Sequence, residues 1–333
     1  MTTPLDKEWP SFDHMPEDDQ LTAARPRGQK LARWVWYDGE VRESEHLSVH
    51  YYANALHYGT AVFEGIRCYP TANGPVLVRL RDHIDRLLAS ARLYGMKLPY
   101  DADTLVRGAT EVTRRNGTQN GYLRPLAFYG AGPIDLKPKR ECPVHVFIAI
   151  RELGTFLGED ALRNGIRMMV SSWRKFHHTM LPTMAKASGH YANAVLAAHE
   201  AHDQGFDDAL LLNQDGTVAS ATGQNVFFVK SGTLVTNDES SSIIPGITRD
   251  CVLELAREHQ IPITIRPFTR EDLLRADEVF LTGTAAEVTP VREVSGVRFE
   301  TGKGTLSAFF QRAYLRAVTG KDESRLHWLT PVS

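Results

Sequence analysis

Leu181-Pro182-Thr183-Met184-Ala185-Lys186-Ala187-Ser188-Gly189 sets a lysine among small and apolar residues, directly ahead of a helix-like run from Tyr191 to Gln204. Lysine is scarce beside arginine in this chain. The others (Lys7, Lys30, Lys97, Lys137, Lys139, Lys175, Lys230, Lys303 and Lys321) stand in polar or turn-like surroundings. Small apolar neighbours desolvate an ammonium, lower its pKa and favour the amine that forms Schiff bases. The same context also suits a surface lysine ahead of a helix, because lysine normally keeps its solvent.

Outward from this segment the chain alternates strands and helices. Downstream, Asp208–Leu212, Asn225–Val229 and Glu278–Leu281 read as strands and Arg249–Glu258 as a helix, with Gly205 closing the helix after Lys186. Ile166–Ser171 is the strand before it. Further upstream, Trp34–Tyr37, Pro75–Val78, Tyr122–Phe128 and Val144–Ile150 read as strands, with turns at Asp38-Gly39 and Asn73-Gly74. Helices are expected from Asp82 to Tyr94, with Asp82 as cap and Gly95 as stop, and from Asp103 to Arg115. Arg151–Gly158 reads as a connection. The pattern predicts an arm over 1–30, a small α/β domain over 31–150, a linker over 151–162 and a large domain over 163–333. The fold class is α+β or mixed α/β, with a ligand cleft between the two domains.

Composition narrows the partners. The 333 residues carry 38 Lys plus Arg against 40 Asp plus Glu, a net charge of −2, which gives no electrostatic reason to expect nucleic acid or anionic membrane. No run approaches the ~18 apolar residues of a membrane span. The first twenty residues are acidic, with Lys7 as their one lysine and no arginine, so neither a signal nor a transit peptide is expected. Cys68, Cys142 and Cys251 fit neither a disulfide framework nor a metal site, and a reducing cytoplasm is the expected home.

Other stretches invite chemistry. Asp82-His83-Ile84-Asp85-Arg86-Leu87 places Arg86 on an amphipathic helix, where taken alone it reads as a surface arginine. In Ile243-Ile244-Pro245-Gly246-Ile247-Thr248-Arg249-Asp250 a turn feeds a helix start; free N–H groups and the Thr248 hydroxyl suit a phosphate there, and equally a plain N-cap. Leu281-Thr282-Gly283-Thr284-Ala285-Ala286-Glu287 brings backbone donors to a strand end. Arg174-Lys175-Phe176-His177-His178 is basic and imidazole-rich, a solvated loop or a reader of polar substrate.

Together with Tyr58-Gly59-Thr60-Ala61-Val62-Phe63-Glu64-Gly65-Ile66-Arg67 and Tyr122-Leu123-Arg124-Pro125, these stretches resemble, in order and spacing, the branched-chain amino-acid aminotransferases. These are class IV aminotransferases, fold-type IV pyridoxal-phosphate enzymes with a D-amino-acid aminotransferase-like architecture. The resemblance spans about residues 31–330. It implies that Lys186 is the Schiff-base lysine and proton shuttle. It implies that Arg86, Ile247, Thr248 and Thr284 hold the cofactor phosphate and Tyr191 its phenolic oxygen. Gln224 and Asn225 would complete the cofactor site. Thr284, Ala285, Ala286 and Tyr122 would meet the substrate carboxylate; Tyr58, Phe63 and Gly65 would line the side-chain pocket, and Arg124 would receive the distal carboxylate of glutamate. The loop Gly130–Pro138 would reach a partner's site, implying at least a homodimer. No metal is implied.

The family carries a glutamate at the cofactor's pyridine nitrogen where this chain has Ser220, within Val218-Ala219-Ser220-Ala221-Thr222-Gly223-Gln224-Asn225. A hydroxyl stabilises pyridinium far less than a carboxylate, which weakens the electron sink. Two readings stay open on that ground: transamination of branched-chain or similar apolar amino acids with 2-oxoglutarate, or a lyase, racemase or side-chain replacement enzyme on the same frame. A non-catalytic cofactor-binding paralogue has less to support it. Phe156 stands where a tyrosine is common, removing one donor to the substrate.

Overall fold

The computed structural model describes residues 32–154 and 156–332; the expected N-terminal arm lies outside them. These residues form two sheets with helices against them. The first runs Leu329–Pro331, Gly74–Val78, Ile66–Thr71, Gly121–Tyr129, Val144–Glu152, Trp34–Tyr37, Glu40–Glu43, with Ala61–Phe63 added to Gly121–Tyr129, and its pairs are antiparallel. The second is mixed, in the order Val218–Ala221, Asp208–Leu212, Ile166–Arg174, Glu287–Val294, Glu278–Gly283, Asn225–Lys230, Thr233–Thr236, Ile263–Ile265. Ile166–Arg174 lies parallel to both its neighbours. The strand Leu329–Pro331 returns to the edge of the first sheet.

Local chemistry explains most of these elements. Asp38 and Gly39 both take positive φ (47° and 95°), the two-residue hairpin the sequence predicts, and it joins Trp34–Tyr37 to Glu40–Glu43. The first helix against this sheet runs Leu80–Leu93 rather than from Asp82. Its N-cap is Arg79, and Asp82 sits inside the first turn, where its carboxylate favours the helix dipole and accepts from Arg79 Nε at 2.6 Å. The next helix, Ala102–Asn116, is capped by Asp101, which accepts from the Thr104 N–H, and ends on Gly117 in the left-handed region. Sequence reading did not anticipate the helix Leu306–Val318. Thr305 caps it, and the buried Glu278 accepts from the N–H groups of Leu306 and Ser307.

Two cores position the site. Trp36, Val62, Ile66, Leu77, Ile84, Leu87, Leu105, Val112 and Ile148 fill the space between the first sheet and its helices, and Ala185 and Ala187 belong to the same cluster. A second core joins Phe227, Phe280, Leu253 and Phe310 to Tyr69, Val76 and Val78 of the first sheet. No helix among the described residues is long and apolar enough to cross a membrane.

Gly108 lets Ala102–Asn116 approach the first sheet, since a Cβ there would sit 2.7 Å from Trp36 Nε1. Gly108→Ala gains about 1 kcal/mol of helix propensity but overpacks the core by about 1–3 kcal/mol. The second effect wins. Thermal unfolding followed by circular dichroism should show a lower Tm; an unchanged or raised Tm would contradict this packing.

Candidate active site

The cavity between the sheets is built around Lys186. Its flanking residues, Ala185 and Ala187, are fully buried in the first sheet's core, and Ala187 bridges to Val62. Lys186 O accepts from Phe63 N at 2.9 Å, and Lys186 N donates to Ser90 Oγ at 3.0 Å. With its backbone held on both sides, the side chain points into the cleft. There its Nζ donates to the Tyr191 hydroxyl at 2.8 Å. Tyr191 opens the helix Tyr191–Asp203 and packs on Phe63, with ring centroids 4.8 Å apart.

On the inner side of Lys186 lies an anion cup. The helix Ile247–Glu258 starts after Gly246, which has no side-chain cap, so its first N–H groups face the cavity with the buried Thr248. Gly246 is required by proximity: a Cβ would meet Asn225 Oδ1 at 2.2 Å, while Asn225 Nδ2 holds the turn through Ile244 O at 3.0 Å. Arg86 reaches the same place, donating from Nη1 to Pro245 O at 2.9 Å. Its Nε and Nη2 form a two-pronged pair with Glu64 at 2.7 and 2.9 Å. His83 Nδ1 lies 2.7 Å from the same carboxylate.

Burial alone would push the Glu64 carboxyl up, but Arg86 and the hydrogen bond from His83 hold it well below the usual carboxylate range. An ionised carboxylate only accepts, so His83 carries its proton on Nδ1; burial pushes its imidazolium down, and the ring is neutral. Lys175, Phe176, His190, Ser220 and Thr282 complete this inner cavity. Burial pushes the His190 imidazolium down to about 4, and its Nε2 meets the Tyr94 hydroxyl at 2.9 Å. Thr282 Oγ1 is buried without a partner, and His190 Nδ1 has at most the Ala185 backbone. These polar atoms, the cationic side chains and the helix start together suit a polar, phosphate-bearing ligand.

The outer cavity, of about 430 Å3, opens on the other side of Lys186 and Tyr191. Phe63, Leu153, Phe156, Leu157 and Val195 supply apolar walls, and Gly283-Thr284-Ala285-Ala286 a rim of small residues. Gly65 leaves room for the Tyr122 hydroxyl, which would lie 1.7 Å from a Cβ. The Arg124 guanidinium stacks over Phe63 at 4.4 Å, and its Nη2 approaches the Tyr122 hydroxyl at 3.5 Å. Asp208 lines this chamber too, accepting from Thr222 Oγ1 and Ala209 N at 2.7 Å each, and burial pushes its carboxyl up.

The residues expected from sequence therefore converge, with one exception. Lys186, Arg86, Tyr191, Ser220, Gln224, Asn225, Ile247, Thr248 and Thr284 line the inner cavity; Phe63, Gly65, Tyr122, Arg124, Phe156, Ala285 and Ala286 line the outer one. Tyr58 lines neither; it ends the short helix Asn54–Tyr58 on the exposed surface. Arg86 is no surface arginine, because Glu64 draws it inward. Lys175 is the clearest correction. Its surroundings in sequence are polar, yet the chain carries it into the inner cavity, where burial and Lys186 push it down to about 8. Glu64 carried a signal that sequence reading missed: a carboxylate inside Ala61-Val62-Phe63-Glu64-Gly65-Ile66 has no route to solvent and needs a buried cation.

A lysine amine held by a tyrosine hydroxyl, between an anion cup and an apolar chamber, defines an enzyme that works through an amine on a phosphate-bearing cofactor. The model of the amino-transferase class IV family matches residues 61–294. The chain is 40% identical over 305 residues to the branched-chain-amino-acid aminotransferase of Escherichia coli K12, covering 91% of this chain and 99% of that one. It is 40% identical over 299 residues to the enzyme of that name from Pseudomonas aeruginosa, covering 90% and 97%. Among solved structures, the branched-chain amino acid aminotransferase of T.th. with pyridoxamine 5'-phosphate superposes with a TM-score of 0.87 at 41% identity, over 91% of this chain and 99% of that one. The Thermoproteus uzoniensis branched-chain aminotransferase with norvaline gives 0.86 at 40% identity, over 90% and 99%. This chain belongs to the class IV aminotransferases. Its fold is theirs, and its cofactor is pyridoxal 5'-phosphate.

Glu64→Gln keeps the shape of the buried pair and removes its charge. Taking one partner from such a pair costs about 3–5 kcal/mol. Because the folded-state pKa of Glu64 is depressed, its contribution is fully present above the unfolded value near ~4.3 and is lost only as pH falls through the folded value. At neutral pH the variant should melt lower than the parent and lose cofactor on dialysis. Parental Tm and retention would show that Arg86 does not depend on Glu64.

Proposed function

We propose that this enzyme exchanges the amino group of leucine, isoleucine, valine or a similar apolar amino acid with 2-oxoglutarate, forming glutamate. The observation that carries the reading is the Lys186 amine, 2.8 Å from the Tyr191 hydroxyl, between the anion cup and a chamber with apolar walls that Arg124 also lines. Bound there, pyridoxal phosphate supplies a carbonyl carbon for amines and a ring that withdraws charge from the substrate's Cα. The remaining work belongs to the chain. Arg86, the N–H groups of Ile247 and Thr248, the Thr248 hydroxyl and Thr284 bind the phosphate. Tyr191 orients the Lys186 amine and meets the cofactor's phenolic oxygen; Ser220, Gln224 and Asn225 close the far side. Lys186 Nζ takes and returns the proton at Cα.

The small-residue rim Thr284-Ala285-Ala286 and the Tyr122 hydroxyl receive the α-carboxylate. Phe63, Phe156 and Gly65 leave an apolar space for the side chain. Glutamate needs a cation in that space, and Arg124, propped over Phe63 with its Nε buried and unpartnered, supplies one. Purified holoenzyme with leucine, isoleucine or valine plus 2-oxoglutarate should yield glutamate, and none from a broad amino-acid panel would refute the reading. Borohydride should fix the cofactor on the peptide containing Lys186. Lys186→Ala should keep phosphate binding and lose turnover by several powers of ten, since one side chain serves as both nucleophile and proton carrier.

We further propose that the working unit is a homodimer in the cytoplasm. Exposed Tyr51, Tyr52, Leu56 and Tyr58 adjoin exposed Ile134 and Leu136, because Asn54 ties to Gly130 O and Asp135 O. Exposed apolar side chains brought together in this way support contact with a second copy, which would return Tyr58 to a site across the interface. The free thiols of Cys68, Cys142 and Cys251 accord with a reducing compartment. Light scattering should give a dimer or a multiple of it for the parent, and monomers of reduced activity for Ile134→Asp with Leu136→Asp. A fully active monomer would refute the assembly.

A further inference from the structure

The inner cavity has an unusual charge inventory. Arg86, Lys175 and Lys186 line it, with the neutral His190, and among the described residues no carboxylate does. Arg86 already has its counter-charge in Glu64. Lys186 is the amine that meets the cofactor's carbonyl carbon. Lys175 remains. Among the described residues it has no carboxylate within ion-pair distance, and the contact of its Nζ is with the face of Phe176 at 4.8 Å.

Its place in the fold is informative. Lys175 follows the strand Ile166–Arg174, and its N–H donates to Leu212 O at 2.9 Å. Leu212 lies opposite Val218, and Leu211 opposite Ser220. Lys175 and Ser220 thus come from adjoining segments of one wall. In pyridoxal phosphate the ring nitrogen is para to the carbonyl-bearing carbon, so it points away from Lys186. The Ser220 side chain is neutral and donates its one proton to Ala221 O at 2.8 Å, which it would have to release to donate to a ligand. Asp208, the buried carboxyl next along this sheet, lines the outer chamber and is committed to Thr222.

We propose that Lys175 is the residue that sets the charge state of the cofactor ring, and that this cavity holds the pyridine nitrogen unprotonated. The inference rests on the cofactor site described above. A pyridinium on this wall would add a positive charge beside an ammonium with no carboxylate to offset it, whereas a neutral nitrogen can accept from Lys175 or Ser220. With its pKa near 8, Lys175 is still mostly cationic at neutral pH. The titratable groups that line the cavity with it are Lys186 from the lysine segment, His190 and Tyr191 from the turn and helix that follow, and Arg86, whose counter-charge Glu64 lies outside the lining. Lys175 is a positioning residue in this scheme; the Cα proton still moves on Lys186.

The test is 15N NMR of holoenzyme reconstituted with ring-15N pyridoxal phosphate, with the bound phosphate's 31P signal reporting occupancy separately. Failure to transaminate leaves both signals readable, so the two readings fail independently. The 15N shift should be that of unprotonated pyridine from pH 6 to 8, and Lys175→Met should raise the ring nitrogen's pKa by one unit or more. Ser220→Glu, which adds a carboxylate to the same wall, should move the signal to the pyridinium range whether or not the first variant folds. A pyridinium shift in the parent at pH 7.5 would overturn the proposal. So would an unmoved titration in folded Lys175→Met, or an unprotonated ring in occupied Ser220→Glu.

Discussion

Everything at this site depends on the burial of Ala185 and Ala187. Both methyl groups lie in the core of the first sheet, so the backbone between them cannot turn, and Lys186 faces the cleft on a fixed stem. Small residues are needed here. Larger ones would lift the segment off Val62 and Ser90, and with it the hydrogen bonds that set the lysine's direction. The lysine is thus carried by one sheet's packing while most of the anion cup and the rim of the substrate chamber belong to the other.

Glu64 performs the matching task from the first sheet's side. It is completely buried, and the pairing with Arg86, the hydrogen bond from His83 and the N–H of Gly65 at 3.3 Å make an ionised carboxylate tolerable there. Arg86 then spans the cleft to Pro245 O at the entrance to the helix Ile247–Glu258. A charge that would be costly alone orients the cationic side of the anion cup. The network leaves a different end of the cavity to Lys175, which has no such companion.

Much of this was legible in the sequence, and for identifiable reasons. Lys186 stood out because it alone among the lysines is surrounded by small apolar residues. The Pro245-Gly246 turn showed itself through turn chemistry, and the main strands and helices through their period. What sequence concealed was long-range. The period around Arg86 marks an amphipathic helix but not the carboxylate waiting 22 positions upstream. Polar neighbours in sequence made Lys175 look solvated, whereas the neighbours that matter, Phe176 apart, arrive from Lys186 and His190. The start of the helix at Leu80 was hidden because Arg79 takes a left-handed conformation that its residue type does not advertise.

The terminal strand has a consequence for how the molecule comes to exist. Leu329–Pro331 pairs with Gly74–Val78, and Arg79 N donates to Trp328 O at 2.6 Å. During synthesis the first sheet can assemble its inner strands early, but its edge stays open until Leu329–Pro331, made long after Gly74–Val78, has left the ribosome. Through that interval the edge of Gly74–Val78 is an unpaired template, the kind that draws wrong partners. Completion of the first sheet therefore waits on residues made long after its inner strands.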